Sequence, residues 1–259
     1  AKFRKEGETV EIPTENLFKN PLQISFPEVG KMEVYPNRDS LAYIDIYNLP
    51  NVETMYRGTF RYPQWCESMD AIKAIGMVNY DKQNFEGKTY KDIVAAEIDV
   101  YPKNVKEKVA QRLNLELNSP AIIAMEWLGL FSDNRVHLDE GSTFDITSDL
   151  MLKKMMLPEG ARDMVIMLHS FLIETTNGKK EVIKSRLLDY ATQDDTSIAR
   201  TVALPAAIAA KMILNGEIKD TGVLIPIAKT IYNPILNELE KMGISMEEEW
   251  GLPEVEKLG

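Results

Sequence analysis

Three arginines define the chemistry this chain could perform. Arg38 stands in Tyr35-Pro36-Asn37-Arg38-Asp39-Ser40, a loop by its proline and asparagine. Arg57 and Arg61 flank Gly58-Thr59-Phe60. A guanidinium is a planar fork of donors that meets a carboxylate at two points. On an extended strand, residues four apart share a face, so Arg57 and Arg61 would point the same way. Thr59 adds a hydroxyl, and Gly58 suggests a bulge or a close backbone approach. The set suits a small, carboxylate-rich ligand. It equally suits ordinary salt bridges, since 40 acidic residues face 30 basic ones. Spacing alone leaves both readings open.

The remaining reactive groups are few. His169 lies in Met167-Leu168-His169-Ser170-Phe171. It is either a core imidazole with a satisfied hydrogen bond or a general acid or base. His137, in a polar joint, reads as surface. Cys66 is the single cysteine; it reads as packing, with a Cys-His nucleophile pair as the alternative. One cysteine and two separated histidines make no ligand cluster, so no metal is expected. The chain has no G-x-G-x-x-G, no Walker sequence and no G-x-S-x-G elbow. It therefore offers no usual cradle for a dinucleotide.

Composition sets the wider limits. A net charge of -10 argues against general nucleic-acid binding, although a local arginine cluster can still hold an anion. No continuous apolar run has the length of a membrane span, so no membrane partner is expected. A lone cysteine excludes an internal disulfide and points to a reduced, cytoplasmic protein. The chain opens on Ala1-Lys2-Phe3-Arg4 with no apolar stretch after it and no initiator Met, which suggests a mature or excised piece.

The elements that must position these residues follow from periodicity. Thr9–Ile12 and Leu22–Phe26 alternate as strands, and Thr54–Tyr62 is rich in strand formers. Asp39 or Ser40 could cap a segment over Leu41–Tyr47. From Trp65 the period turns helical: Trp65–Gly76, Tyr90–Ile98, Val105–Leu113, Ser119–Leu130 and Leu138–Met156. The Met151–Met156 stretch and Glu126-Trp127 read as packed helix. Sheet returns at Asp163–Glu174, with apolar residues on both faces. It turns at Asn177-Gly178 into Lys180–Asp189. Ser197–Asn215 is one long apolar helix, Val223–Pro226 an extended piece, and Pro226–Gly243 a last helix. The acidic tail from Glu247 is expected to fray. The fold class is α+β: a mixed sheet interrupted by an inserted all-helical subdomain.

Five segments in order resemble the saccharopine dehydrogenase (glutamate-forming; saccharopine reductase) family. They are Tyr35–Ser40; Arg57-Gly58-Thr59-Phe60-Arg61-Tyr62 leading into Trp65-Cys66-Glu67; Ala124–Leu130; Ala199–Lys211; and Gly222 through Tyr232-Asn233-Pro234-Ile235-Leu236. The resemblance implies residues 1–65 and 161–259 as a mixed α/β substrate-binding and dimerisation domain, with 66–160 as the helical insertion. It implies a Rossmann domain absent from this chain, binding NAD or NADP, and packing against the C-terminal helices; an apolar face around Leu204–Ile213 is expected there. The family's substrate contacts fall on Arg38, Thr59, Phe60 and Arg61, with Tyr35, Asn37 and Arg57 as support. Phe60 would act through its backbone or by shaping the pocket wall. The implied reaction is hydride transfer converting saccharopine to glutamate and 2-aminoadipate semialdehyde, or the reverse, by a homodimer in lysine metabolism. His169 is the one general acid or base the chain itself offers. A carboxylated-polyamine oxidoreductase and a non-enzymatic amino-acid-binding module are the alternatives.

Overall fold

The structure, a computed structural model, describes residues 1–257 and divides into two compact units, Ala1–Met156 and Leu157–Gly259.

The first unit begins with a hairpin of β1 (Lys2–Lys5) and β2 (Glu8–Glu11). A three-stranded antiparallel sheet follows, from β3 (Leu22–Phe26), β4 (Gly30–Pro36) and, after α1 (Ala42–Ile46), β5 (Gly58–Arg61). β4 is central. Its Met32-Glu33-Val34 run is buried on both faces, so it lacks the alternation that marks a half-buried strand. The N-cap of α1 is Leu41, with no side-chain cap; Asp39, just before it, accepts the Leu41 N–H at 2.8 Å. The extended stretch expected over Thr54–Tyr62 pairs only at its end. Pro36 stands opposite Gly58, and beyond Pro36 the backbone turns at Arg38, which has a φ of +52°. Residues 54–57 therefore form no ladder: the Arg57 carbonyl accepts the Asn37 N–H, the Arg57 N–H is accepted by Ser40 Oγ at 3.1 Å, and Met55 makes an isolated bridge to Arg4.

The helical part of this unit comprises α2 (Trp65–Ala74), α3 (Tyr90–Glu97), α4 (Val105–Leu113), α5 (Pro120–Leu128) and α6 (Thr143–Met155). A short ladder of β6 (Gln83–Asn84) and β7 (Glu140–Gly141) lies among them. Local chemistry sets the boundaries. Thr89 with Asp92, and Ser142 with Asp145, form reciprocal capping boxes at α3 and α6. The β7 pairing and the Ser142 cap start α6 at Thr143, later than the expected Leu138. The apolar faces meet in one core built on Ile72, Ile75, Phe85, Val94, Ile122 and Met125. Two expectations about packing are corrected. Of the Met151–Met156 stretch, Met151 reaches the core while Leu152, Met155 and Met156 are exposed. Trp127 is also exposed, on the outer face of α5 beside the Lys154 ammonium.

The second unit is a sheet in the order β10-β9-β8 with two helices. β8 (Met164–Glu174) and β9 (Lys180–Tyr190) form a long hairpin. Its turn needs Gly178 at a φ of +79°. α7 (Ser197–Leu214) starts where Thr196 accepts the Ala199 N–H and Asp163 accepts the N–H groups of Ser197 and Ile198, at 2.7 and 3.0 Å. Its Ile208 and Met212 pack with Ile231, Ile235 and Leu239 of α8 (Lys229–Lys241) and Leu187 of β9. The tail expected to fray instead forms β10 (Glu247–Leu252) on β9, where Arg186 pairs with Glu249. Its acidic residues find basic partners on the neighbouring strand. β8 is not buried on both faces: Met167, Phe171 and Leu172 are exposed on this edge strand. Val223–Pro226 forms no strand. The exposed apolar residues of α7 are Ile198, Val202, Ile213 and Leu214, whereas Leu204 packs on the unit's own core. By length and a mean hydropathy of 1.5, α7 alone among the described helices could cross a membrane; Ile208 and Met212 bury part of that apolar surface within the unit.

Candidate substrate-binding site

Of the expected substrate contacts, Thr59, Phe60 and Arg61 lie on β5, and Arg38 lies in the turn that follows β4. Thr59 stands opposite Tyr35, Phe60 opposite Val34, and Arg61 opposite Glu33. Thr59 and Arg61 therefore share one face and Phe60 takes the other. The Phe60 ring packs edge-on against Phe26 at 6.0 Å, inside the sheet's apolar side. Its carbonyl accepts an N–H from the Arg61 guanidinium at 2.8 Å.

Arg61 is held by aromatic rings. Its guanidinium carbon lies 4.8 Å from the Trp65 ring centre and 5.6 Å from that of Tyr35. Those two rings stack at 5.8 Å, nearly parallel, and Phe18 closes edge-on against both. A guanidinium stacked on rings keeps its edge donors while its plane is fixed. Arg57 goes elsewhere: it precedes β5 and lies over Tyr43 at 4.6 Å. Arg38 is exposed in its left-handed turn, where its carbonyl accepts the Lys2 N–H. Such a backbone costs a non-glycine residue about 1 kcal/mol.

Among the described residues, no carboxylate lies within ion-pair distance of Arg38, Arg57 or Arg61. The salt-bridge reading is thereby removed for all three. Glu33, opposite Arg61, is buried, and both its oxygens are engaged by backbone N–H groups of Gln64 and Cys66 at 2.8 and 3.0 Å.

Gly58 has an internal reason. A side-chain carbon there would meet Val34 Cγ1 at 2.3 Å and the Tyr56 ring at 2.9 Å. The close approach inferred from the sequence is by the chain's own residues. Cys66 is fully buried. Burial, with Glu33 adding, pushes its thiol up to about 12, which removes it as a nucleophile near neutrality. His137 pairs with Asp149 at 3.2 Å on the surface. His169 belongs to the second unit, exposed on β8 beside Phe171; it is not the core imidazole that its apolar neighbours suggested. Sequence reasoning missed Glu33 and Trp65. The only available signal was Glu33 itself, a lone acid between apolar residues.

The described residues do not fit a nicotinamide dinucleotide cradle. Every ladder between named strands is antiparallel, and no strand leads through a glycine-rich turn into a helix.

The family model for the saccharopine dehydrogenase C-terminal domain matches residues 1–244. The chain belongs to that family. Its mixed α/β fold with small sheets is the family's: the apo saccharopine dehydrogenase (L-Glu forming) of Saccharomyces cerevisiae superposes with a TM-score of 0.86 at 30% identity, over 96% of this chain and 58% of that one. Saccharopine dehydrogenase [NADP(+), L-glutamate-forming] of Schizosaccharomyces pombe is 30% identical over 96% of this chain and 58% of its own length. The mitochondrial alpha-aminoadipic semialdehyde synthase of Bos taurus is 33% identical over 85% of this chain and 24% of its own length. The chain thus spans 58% or less of these relatives.

Proposed function

We propose that this chain is the substrate-holding part of a saccharopine dehydrogenase, an oxidoreductase of lysine metabolism that interconverts saccharopine with glutamate and 2-aminoadipate semialdehyde. One observation carries the reading: Arg38, in the turn after β4, and Arg61, on β5, stand without carboxylate partners among the described residues of an acidic chain. Arg38 lies in the turn that follows β4, and Arg61 ends β5 opposite Glu33, three residues before β4 ends. A ligand meeting both carries at least two anionic groups, and saccharopine carries three carboxylates. Thr59 offers a hydroxyl on the face of Arg61. Phe60 contributes its carbonyl, which aligns Arg61.

The residues of this chain bind and orient; hydride chemistry belongs to NADP or NAD, held by a Rossmann domain outside this chain. In this reading residues 1–65 and 161–259 supply the substrate-binding and dimerisation parts, and 66–160 are the helical insertion between them in the sequence. The exposed apolar face of α7 meets the cofactor domain, for which the greater length of the relatives leaves room. The assembly is a cytoplasmic homodimer, and His169 is its in-chain acid or base.

Calorimetric titration of saccharopine into the chain tests the core of the proposal. Arg38→Ala and Arg61→Ala should each weaken binding by about tenfold or more, the loss of a charged hydrogen-bonding partner. Folded variants that bind as tightly as the parent would overturn it.

A further inference from the structure

We infer that Glu33 is a positioning residue that sets the Arg61 fork through Trp65. The inference rests on the substrate reading above only for what the fork binds. A strand carboxylate opposite an arginine ordinarily takes it as a cross-strand ion pair. Glu33 does not. Its Oε1 accepts the Gln64 N–H at 2.8 Å and its Oε2 the Cys66 N–H at 3.0 Å. These donors belong to the start of α2, whose N-cap residue, Gln64, supplies no side-chain cap and sits at a φ of +74°. A buried carboxylate from a neighbouring strand thus does the capping, where helix N–H groups and the helix dipole favour negative charge.

Trp65 lies between the two anchored N–H groups. Holding residues 64 and 66 fixes the ring that stacks on Tyr35 at 5.8 Å and faces the Arg61 guanidinium at 4.8 Å. Glu33 therefore does two things. It orients the platform under the fork, and it directs its own charge to the helix, which leaves Arg61 unneutralised for a ligand.

The test uses the chain with Trp127→Phe and Trp250→Phe, both exposed, so that Trp65 alone of the three tryptophans reports. In this background Glu33→Gln keeps size and one acceptor but turns an amide N–H₂ toward the second donor. The expected result is a red-shifted Trp65 emission, greater acrylamide quenching, and saccharopine binding weakened about tenfold. An unchanged Trp65 signal overturns the inference, as does a changed signal with unchanged affinity. A changed signal in a background that never binds saccharopine leaves the positioning role standing and sinks the saccharopine reading instead. If Glu33→Gln does not fold, Trp65→Phe and Trp65→Ala decide. Phe should retain binding and Ala should lose it; equal behaviour of the two overturns the platform.

Discussion

At the scale of single residues, the sheet that carries the site tolerates little. Gly58→Ala places a methyl against Val34 and Tyr56. Overpacking of this kind should cost about 1–3 kcal/mol, read from the denaturant midpoint. Arg38 is the reverse case, because its left-handed backbone favours glycine. Arg38→Gly should leave stability unchanged or raise it by up to about 1 kcal/mol; on the function proposed above, it should also weaken saccharopine binding as Arg38→Ala does. Cys66 gives a pH signature. Its thiol ionises near 9 when unfolded and about 12 when folded, so the folded form holds its proton more tightly. Stability from this group is complete below pH 9 and declines as pH climbs from 9 toward 12. Cys66→Ser or Cys66→Ala should flatten that decline in urea titrations between those limits, and a thiol reagent at neutral pH should label the parent only on unfolding.

At the scale of elements, the helix starts are where local chemistry is most explicit. Ser142 Oγ accepts the Asp145 N–H in the first turn of α6, and the Ser142 N–H and hydroxyl, donating to the Asp145 carboxyl, hold it below the ordinary carboxylate range. Ser142→Ala should cost about 1 kcal/mol. Because the folded value is depressed, the contribution of Asp145 is present above pH 3.8 and disappears as pH falls through the lower folded value. Melting curves of Asp145→Asn and the parent should therefore converge in acid and separate toward neutrality. These caps also mark what the sequence made legible. The helices of the first unit, the Asn177-Gly178 hairpin and the long α7 follow from period and punctuation. β4 did not, because Met32-Glu33-Val34 is buried on both faces and does not alternate. β10 did not, because Glu247-Glu248-Glu249 reads as solvated charge until Arg186 and Lys184 of β9 are beside it. The arginines were legible as residue types. Their release from salt bridges, and the part played by Glu33 and Trp65, depend on pairing between residues some 30 positions apart, which no local window contains.

At the scale of the whole chain, two compact units are joined where residues 155–162 are all exposed. Brief trypsin treatment should cut first at Arg162, because an exposed segment without buried backbone is the preferred site of nicking. The N-terminal product, with its core on Ile72, Phe85 and Met125 intact, should still unfold cooperatively by circular dichroism. Mass spectrometry that finds the earliest cuts inside α3 to α5 would contradict the division.

The order of strands in the second unit has a consequence for synthesis. β9 is central, but one of its partners, β10, is encoded after both helices. At ordinary ribosomal speed the stretch from Tyr190 to Glu247 takes roughly 3–11 s to emerge. Throughout that interval the β8–β9 hairpin has one completed pairing and two open edges, alongside an apolar α7. A nascent chain of this design is therefore exposed to misassociation between the emergence of β9 and that of β10, and a pause within that interval should be harmful.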